Sequence, residues 1–287
     1  MQKIFINALL VILSFNSFAQ NEQAFVIYNA KGKKSSYKKL LAASKENEVL
    51  LFGEYHDNPI SHWLQFELTE DLFKSGVDRL SLGFEMFERD QQHLLTKYLN
   101  SEFTDKQFVD TMRMWPNYKT DYAPLVNFAK TNKLNCLATN IPRRYASLLF
   151  KKGLSVLQAL PEEDKAFMVP LADFIVDTSL SQYKNLMSPD FHDGGVSMVQ
   201  AQAIKDATMA YSILENRMKD GKHLHFNGSY HSDYYQGIVW YIRRKAPDMK
   251  ILTISTVSQK EIKKLDKEHL NKADFIICVP ETMTSTH

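Results

Sequence analysis

The stretch Glu48-Val49-Leu50-Leu51-Phe52-Gly53-Glu54-Tyr55-His56-Asp57-Asn58 constrains the fold of this chain more than any other. Its apolar half is a short run of the kind found in strands covered on both faces. Gly53 permits a tight exit or a close backbone approach. Asn58-Pro59 then reads as a helix start, with Asn58 as N-cap and Pro59 at the first helical position. Strand, polar tip and helix in that order make the first half of a βαβ unit. Open parallel sheets bind ligands at the carboxyl ends of their strands. Glu54 and His56 therefore sit where a site would form.

The same layout recurs at His223-Leu224-His225-Phe226-Asn227-Gly228-Ser229-Tyr230-His231, again a strand that ends in Gly-x-x-His. Gly53-Glu54-Tyr55-His56 and Gly228-Ser229-Tyr230-His231 share Gly, Tyr and His at one spacing. Either tetrapeptide alone is weak, because a histidine there can simply cap a helix or bond a backbone carbonyl. The pair at two strand ends is the stronger signal.

Further strand ends add to the set. Arg79 to Phe87 is a strand with Glu85 among apolar neighbours, and a buried carboxylate there calls for a cation, a donor or a shared proton. Lys133 to Thr139 is a strand that runs into Asn140-Ile141-Pro142-Arg143, which brings Asn140 and Arg143 to the same edge. Arg143 suits a ligand carboxylate or phosphate. Trp115-Pro116-Asn117-Tyr118-Lys119-Thr120-Asp121-Tyr122 is a dense aromatic loop, read either as the lining of a flat pocket or as packing against a helix. From Pro142 to about Met218 the pattern is helical, with a loop marked by Ser188-Pro189-Asp190 and Gly194-Gly195, and then a long helix from about Val196 to Lys219. Asp233 to Lys245 reads as another helix, and Lys250 to Ser255 and Ala273 to Val279 as the last strands. The alternation predicts one α/β domain over residues 20–287: a mainly parallel sheet flanked by helices, with helical insertions in the second half.

The first 19 residues read as a secretory signal peptide: Lys3, the largely apolar Ile4 to Phe15, and Ser17-Phe18-Ala19 before Gln20. The expected location is periplasmic or secreted. No cysteine stands near the cleavage site to take a lipid. The two cysteines, Cys136 and Cys278, lie in apolar runs and are expected as buried free thiols. The 35 basic and 33 acidic residues nearly balance, which argues against a nucleic-acid partner. Two lysine-rich stretches, Lys31 to Lys34 and Lys260 to Lys267, read as solvated faces.

Parallel strands bring Glu54, His56, Glu85, Asn140, Arg143 and His231 to one edge. Two histidines with carboxylates suit a divalent metal held by His56, Glu85 and His231. With tyrosines beside them, the same residues suit haem. Residue types leave both open. Gly-x-Ser-x-Gly, His-Glu-x-x-His, P-loop and Cys-x-x-Cys motifs are all missing.

The segments Leu51 to Pro59 and Gly83 to Gln91 resemble the ChaN family of haem-binding uptake proteins. Trp115 with Asp121-Tyr122, Thr139 to Arg144, Ala201-Gln202 through Asp206 with Thr208-Met209-Ala210, and Gly228 to His231 follow in the family's order. The resemblance implies an exported α/β protein that binds haem for haem or iron uptake, with a homodimer and an outer-membrane haem or iron receptor as partners. Iron ligation is expected from Tyr55, His56, Tyr230 or His231. Arg143 is expected near the propionates, Asn140 among the cofactor-binding residues, and Trp115, Tyr118 or Tyr122 against the porphyrin. The chain is also distantly similar to Tiki-type metal-dependent proteases and erythromycin-esterase-like hydrolases. That kinship implies a metal-dependent hydrolase in which Glu54 and Glu85 are catalytic.

Overall fold

Alternation along the strands decides which face of the sheet each residue joins. In the run after Glu48, Leu50 and Phe52 enter one apolar core while Val49 and Leu51 enter another on the opposite face. The computed structural model describes residues 23–77, 79–188 and 195–287. The leader and most of the loop expected around residues 188–195 lie outside the described residues.

The chain runs β1 (Val26–Asn29), α1 (Tyr37–Glu46), β2 (Val49–Glu54), α2 (Pro59–Lys74) and β3 (Leu80–Glu88). Then come α3 (Gln92–Leu99), α4 (Asp105–Thr111), α5 (Ala123–Asn132) and β4 (Asn135–Asn140). The inserted helices follow as α6 (Arg143–Lys152), α7 (Leu154–Gln158), α8 (Glu162–Lys165), α9 (Ser181–Leu186) and α10 (Val196–Glu215). β5 (Lys222–Gly228), α11 (Ile238–Lys245), β6 (Ile251–Gln259) and β7 (Phe275–Pro280) complete the fold. The seven strands form one sheet in the order β1-β7-β6-β2-β5-β3-β4. All neighbours are parallel except β1, which runs antiparallel to β7. This is the α/β fold expected, with its helical insertions between β4 and β5.

The helix starts follow local chemistry. Asn58 caps α2, its side chain accepting from the Ser61 N–H at 3.0 Å, and Pro59 occupies the first turn. Ser36 caps α1 by accepting from Lys39. Three expectations shift. The helix expected over Asp233–Lys245 is broken: Tyr234, Tyr235 and Gly237 all have positive φ, and α11 begins only at Ile238. α10 stops at Glu215, short of Lys219. The aromatic loop contains one π-helical turn, Tyr118–Tyr122, leading into α5. Such turns often mark functional sites.

Cys136 and Cys278 are buried free thiols, as expected. Among the described residues, no helix is long and apolar enough to cross a membrane.

Candidate functional site

The two Gly-x-x-His tips lie on adjacent parallel strands but are not equivalent. β2 and β5 pair with Glu54 opposite Gly228 and Gly53 opposite Asn227. β2 thus continues through Glu54 and exposes His56 on the tip beyond it. β5 ends at Gly228 and turns at once into a 3₁₀ turn, Ser229–His231, which tucks His231 inward. His231 is buried, while the His56 side chain is 42 % exposed.

His56 is held from one side. Its Nδ1 lies 3.0 Å from Glu54 Oε1. No partner is recorded for its Nε2 among the described residues. The ring packs edge-on to Trp115 with centroids 4.7 Å apart. Its other neighbour is Gly228, where an added Cβ would lie 2.8 Å from Cε1 and 2.9 Å from Nε2. Only glycine leaves room for the ring there. Burial disfavours the charged form of His56, but the Glu54 hydrogen bond and the Glu85 charge outweigh it, so its pKa is raised.

Glu54 is itself buried and fully engaged. Tyr122 donates to Oε1 at 2.5 Å, and Gln65 donates to Oε2. Burial, with Glu54 beside it, holds the Tyr122 phenol well above its usual pKa, so it remains a donor. Behind this pair, His62 Nε2 and Asn117 Nδ2 lie 3.0 and 2.6 Å from the His56 carbonyl, and Asn117 also donates to Asp121. The Thr286 N–H donates to the Asp57 carbonyl and its hydroxyl to Asp121, so the tip is braced on both sides.

Glu85 and His231 form a second cluster on the other face. Glu85 Oε2 accepts the Gly228 N–H at 2.6 Å, and Oε1 lies 3.1 Å from His231 Nε2. His231 Nδ1 meets Asp206 of α10, which also accepts from Tyr183 at 2.7 Å. Burial opposes the imidazolium, yet the two carboxylates outweigh it and raise the His231 pKa to about 10. Burial likewise opposes ionisation of Glu85, but His231 holds it well below the carboxylate range. Asp206 is pushed up, because burial is its largest cause. His231 is thus an imidazolium with both nitrogens occupied.

The metal set expected from sequence, His56, Glu85 and His231, does not come together as one ligand group. Among the described residues no group of three or more His, Cys, Asp or Glu is placed to hold a metal. Glu54 and Glu85 lie at the same edge but on opposite faces, Glu54 against α2 and the π-turn and Glu85 toward α10. Tyr118 does not line a pocket: it is buried in the apolar core against Phe87 and Phe108. Tyr55 turns toward the backbone of Ser258 on β6, and the Tyr230 hydroxyl donates to the Gln182 carbonyl. Neither hydroxyl joins the histidines. Asn140 ends β4 with a buried, unpartnered Oδ1, and Arg143 is exposed with no ion-pair partner among the described residues. Gln65, His62, Asn117 and Asp121 were not legible as site residues. Asp206, noted on its helix, had no readable partner.

Chemically, the edge offers one open ring nitrogen with a carboxylate fixing its tautomer, an aromatic side wall and an arginine. Metal-ligating histidines usually have this outer support.

Comparison with known proteins follows this geometry. Residues 40–242 match the family described as "Haem-binding uptake, Tiki superfamily, ChaN". Among solved structures, ChaN of Campylobacter jejuni with cofacially bound haem is 20 % identical, with a TM-score of 0.61 over 88 % of this chain and 96 % of that one. A Bacillus cereus protein is 11 % identical, with a TM-score of 0.51 over 85 % of this chain and 90 % of its own. At these identities the likeness carries the fold. No curated protein sequence matches. The family match spans well over half of the chain and takes in both histidine tips, Glu85 and Asp206: this protein belongs to the ChaN family of haem-binding uptake proteins in the Tiki superfamily.

Proposed function

We propose that the chain binds haem at the carboxyl edge of its sheet, with His56 Nε2 as the donor that would hold the iron, and that it serves haem or iron uptake after export. One observation carries the reading. His56 is the histidine of the two tips whose Nε2 is unoccupied while its Nδ1 is fixed by a carboxylate. Family membership supplies the ligand class. The donor set fits: an exposed imidazole, the Trp115 ring beside it and the Arg143 guanidinium for a propionate. When bound, the haem would supply an iron centre that the His56 imidazole would hold. Glu54, Tyr122 and Gln65 set the tautomer and aim of the imidazole. The His56 side chain that would hold the haem is 42 % exposed, which suits cover by a second copy of the chain. Delivery to an outer-membrane receptor would follow from the uptake role.

The test is a haem titration of the protein followed in the Soret region. His56→Ala is expected to weaken binding by at least about tenfold, since even outer supports of a ligating histidine contribute tenfold to a hundredfold. Gly228→Ala, whose Cβ would strike the His56 ring, is expected to do the same while His231, Glu85 and Asp206 remain in place. A His56→Ala protein with unchanged affinity and an unchanged spectrum would overturn the assignment.

A further inference from the structure

The two lysine-rich stretches, separate in sequence, meet in space. The Asn271 N–H donates to the Ala30 carbonyl at 2.8 Å, and the Tyr28 hydroxyl to the Ile262 carbonyl at 2.5 Å. A Cβ at Gly32 would lie 2.7 Å from Leu270 and 3.8 Å from Leu265. Beneath them Val26, Tyr28, Ile262, Leu265 and Ala273 share one small core. The hairpin after β1 and the segment between β6 and β7 therefore form one continuous surface along the β1 edge of the sheet.

That surface is strongly basic. Residues 30–39 and 260–272 hold ten lysines against three carboxylates, a net of about seven positive charges. The whole chain carries only +2, so the rest of the molecule is net acidic. Lys31, Lys33 and Lys34 are exposed on the hairpin, and Lys263, Lys264 and Lys267 on the segment beside it. Lys272 pairs with Asp233 at 3.4 Å. Among the described residues the other nine lysines form no ion pair. Lysines also guard edge strands, but none of these ten lies within the edge strand β1 itself. A concentrated, unpaired field of one sign attracts an anionic partner.

We propose that this lysine face docks the protein on an anionic lipid surface. Charge complementarity carries the assignment: about seven net positive charges in these two stretches face a surface of anionic headgroups. Lysines are well suited to this contact. They are strongly hydrated point charges that meet headgroup phosphates without a fixed geometry. The face is separate from the His56 edge, so docking does not depend on haem binding.

The experiment is co-flotation of the full chain with phosphatidylglycerol–phosphatidylcholine vesicles, with pure phosphatidylcholine vesicles as the control for uncharged partition. Partition onto the anionic vesicles is expected to exceed that onto the neutral ones at low salt, and the excess to vanish as salt shortens the screening length. Combined Lys31→Glu, Lys33→Glu, Lys264→Glu and Lys267→Glu is expected to weaken the anionic partition by at least about a thousandfold. Combined Lys151→Glu, Lys152→Glu, Lys184→Glu and Lys219→Glu, which changes net charge equally elsewhere, should leave most of it. Thermal unfolding of both quadruple variants checks that the fold is intact. Equal partition onto neutral and anionic vesicles overturns the proposal. So does equal loss in the two quadruple variants.

Discussion

Replacing His231 with alanine is expected to lower stability by about 3–5 kcal/mol, because it leaves buried carboxylates without their cation. Glu85 and Asp206 are both buried, and the imidazolium between them is the positive group both contact. Urea denaturation at neutral pH measures the effect as a lower midpoint. Removing one carboxylate as well, as in His231→Ala with Asp206→Asn, should cost less than the sum of the two single changes, because the residues touch. The pH dependence carries the same signature. The folded pKa of His231 is raised, to about 10. Its stabilisation is therefore complete below the unfolded histidine value and is lost as pH rises through about 10. The wild type should weaken along that alkaline limb, and the His231→Ala variant should lack it. A variant within about 0.5 kcal/mol of the wild type would mean the cluster holds no charge.

Acid should unfold the protein through a different pair. His223 and His225 lie on one face of β5 and are both buried, next to Gly83 on β3, where a Cβ would come within 2.5 Å of His223 and 2.6 Å of His225. His223 Nδ1 meets Ser81 at 2.7 Å, while its Nε2 has no partner. His225 lies between Thr139 and Asn227. Burial lowers their pKa values to about 3 and about 4. Both are neutral in the fold and charged in the unfolded chain below about pH 6.5. Stability is therefore lost as pH falls from that value toward about 3, by about 1.4 kcal/mol per pH unit for each histidine. Glu85, held low, adds to the acid loss only at the bottom of this range. Urea midpoints measured across pH should show the slope, and His223→Phe should remove about half of it. An unchanged slope in that variant would assign the acid limb to the carboxylates.

The strands, their order along the chain and their carboxyl ends were readable because burial on both faces leaves continuous apolar runs and helix caps leave Asn-Pro and Ser signatures. Glu54, His56, Glu85 and His231 were readable for the same reason, as polar residues just past or within such runs. Their roles were not. Two similar tetrapeptides became an exposed, half-held imidazole and a buried imidazolium because β5 pairs with β2 one residue out of step, Glu54 opposite Gly228. Asp206 lies on a helix that reaches His231 only once α10 packs across the sheet, and local pattern carries no record of that distance. Tyr118 and Tyr122 stand four residues apart, yet one is core and the other donates to Glu54, a difference set by a single π-turn. The lysine stretches showed their charge in the sequence. They became one face only when a hairpin and a distant segment buried Leu265 and Tyr28 together. Periodicity records which residues leave water. Which partners they meet there depends on strand order, register and helix packing, and those are properties of the whole chain.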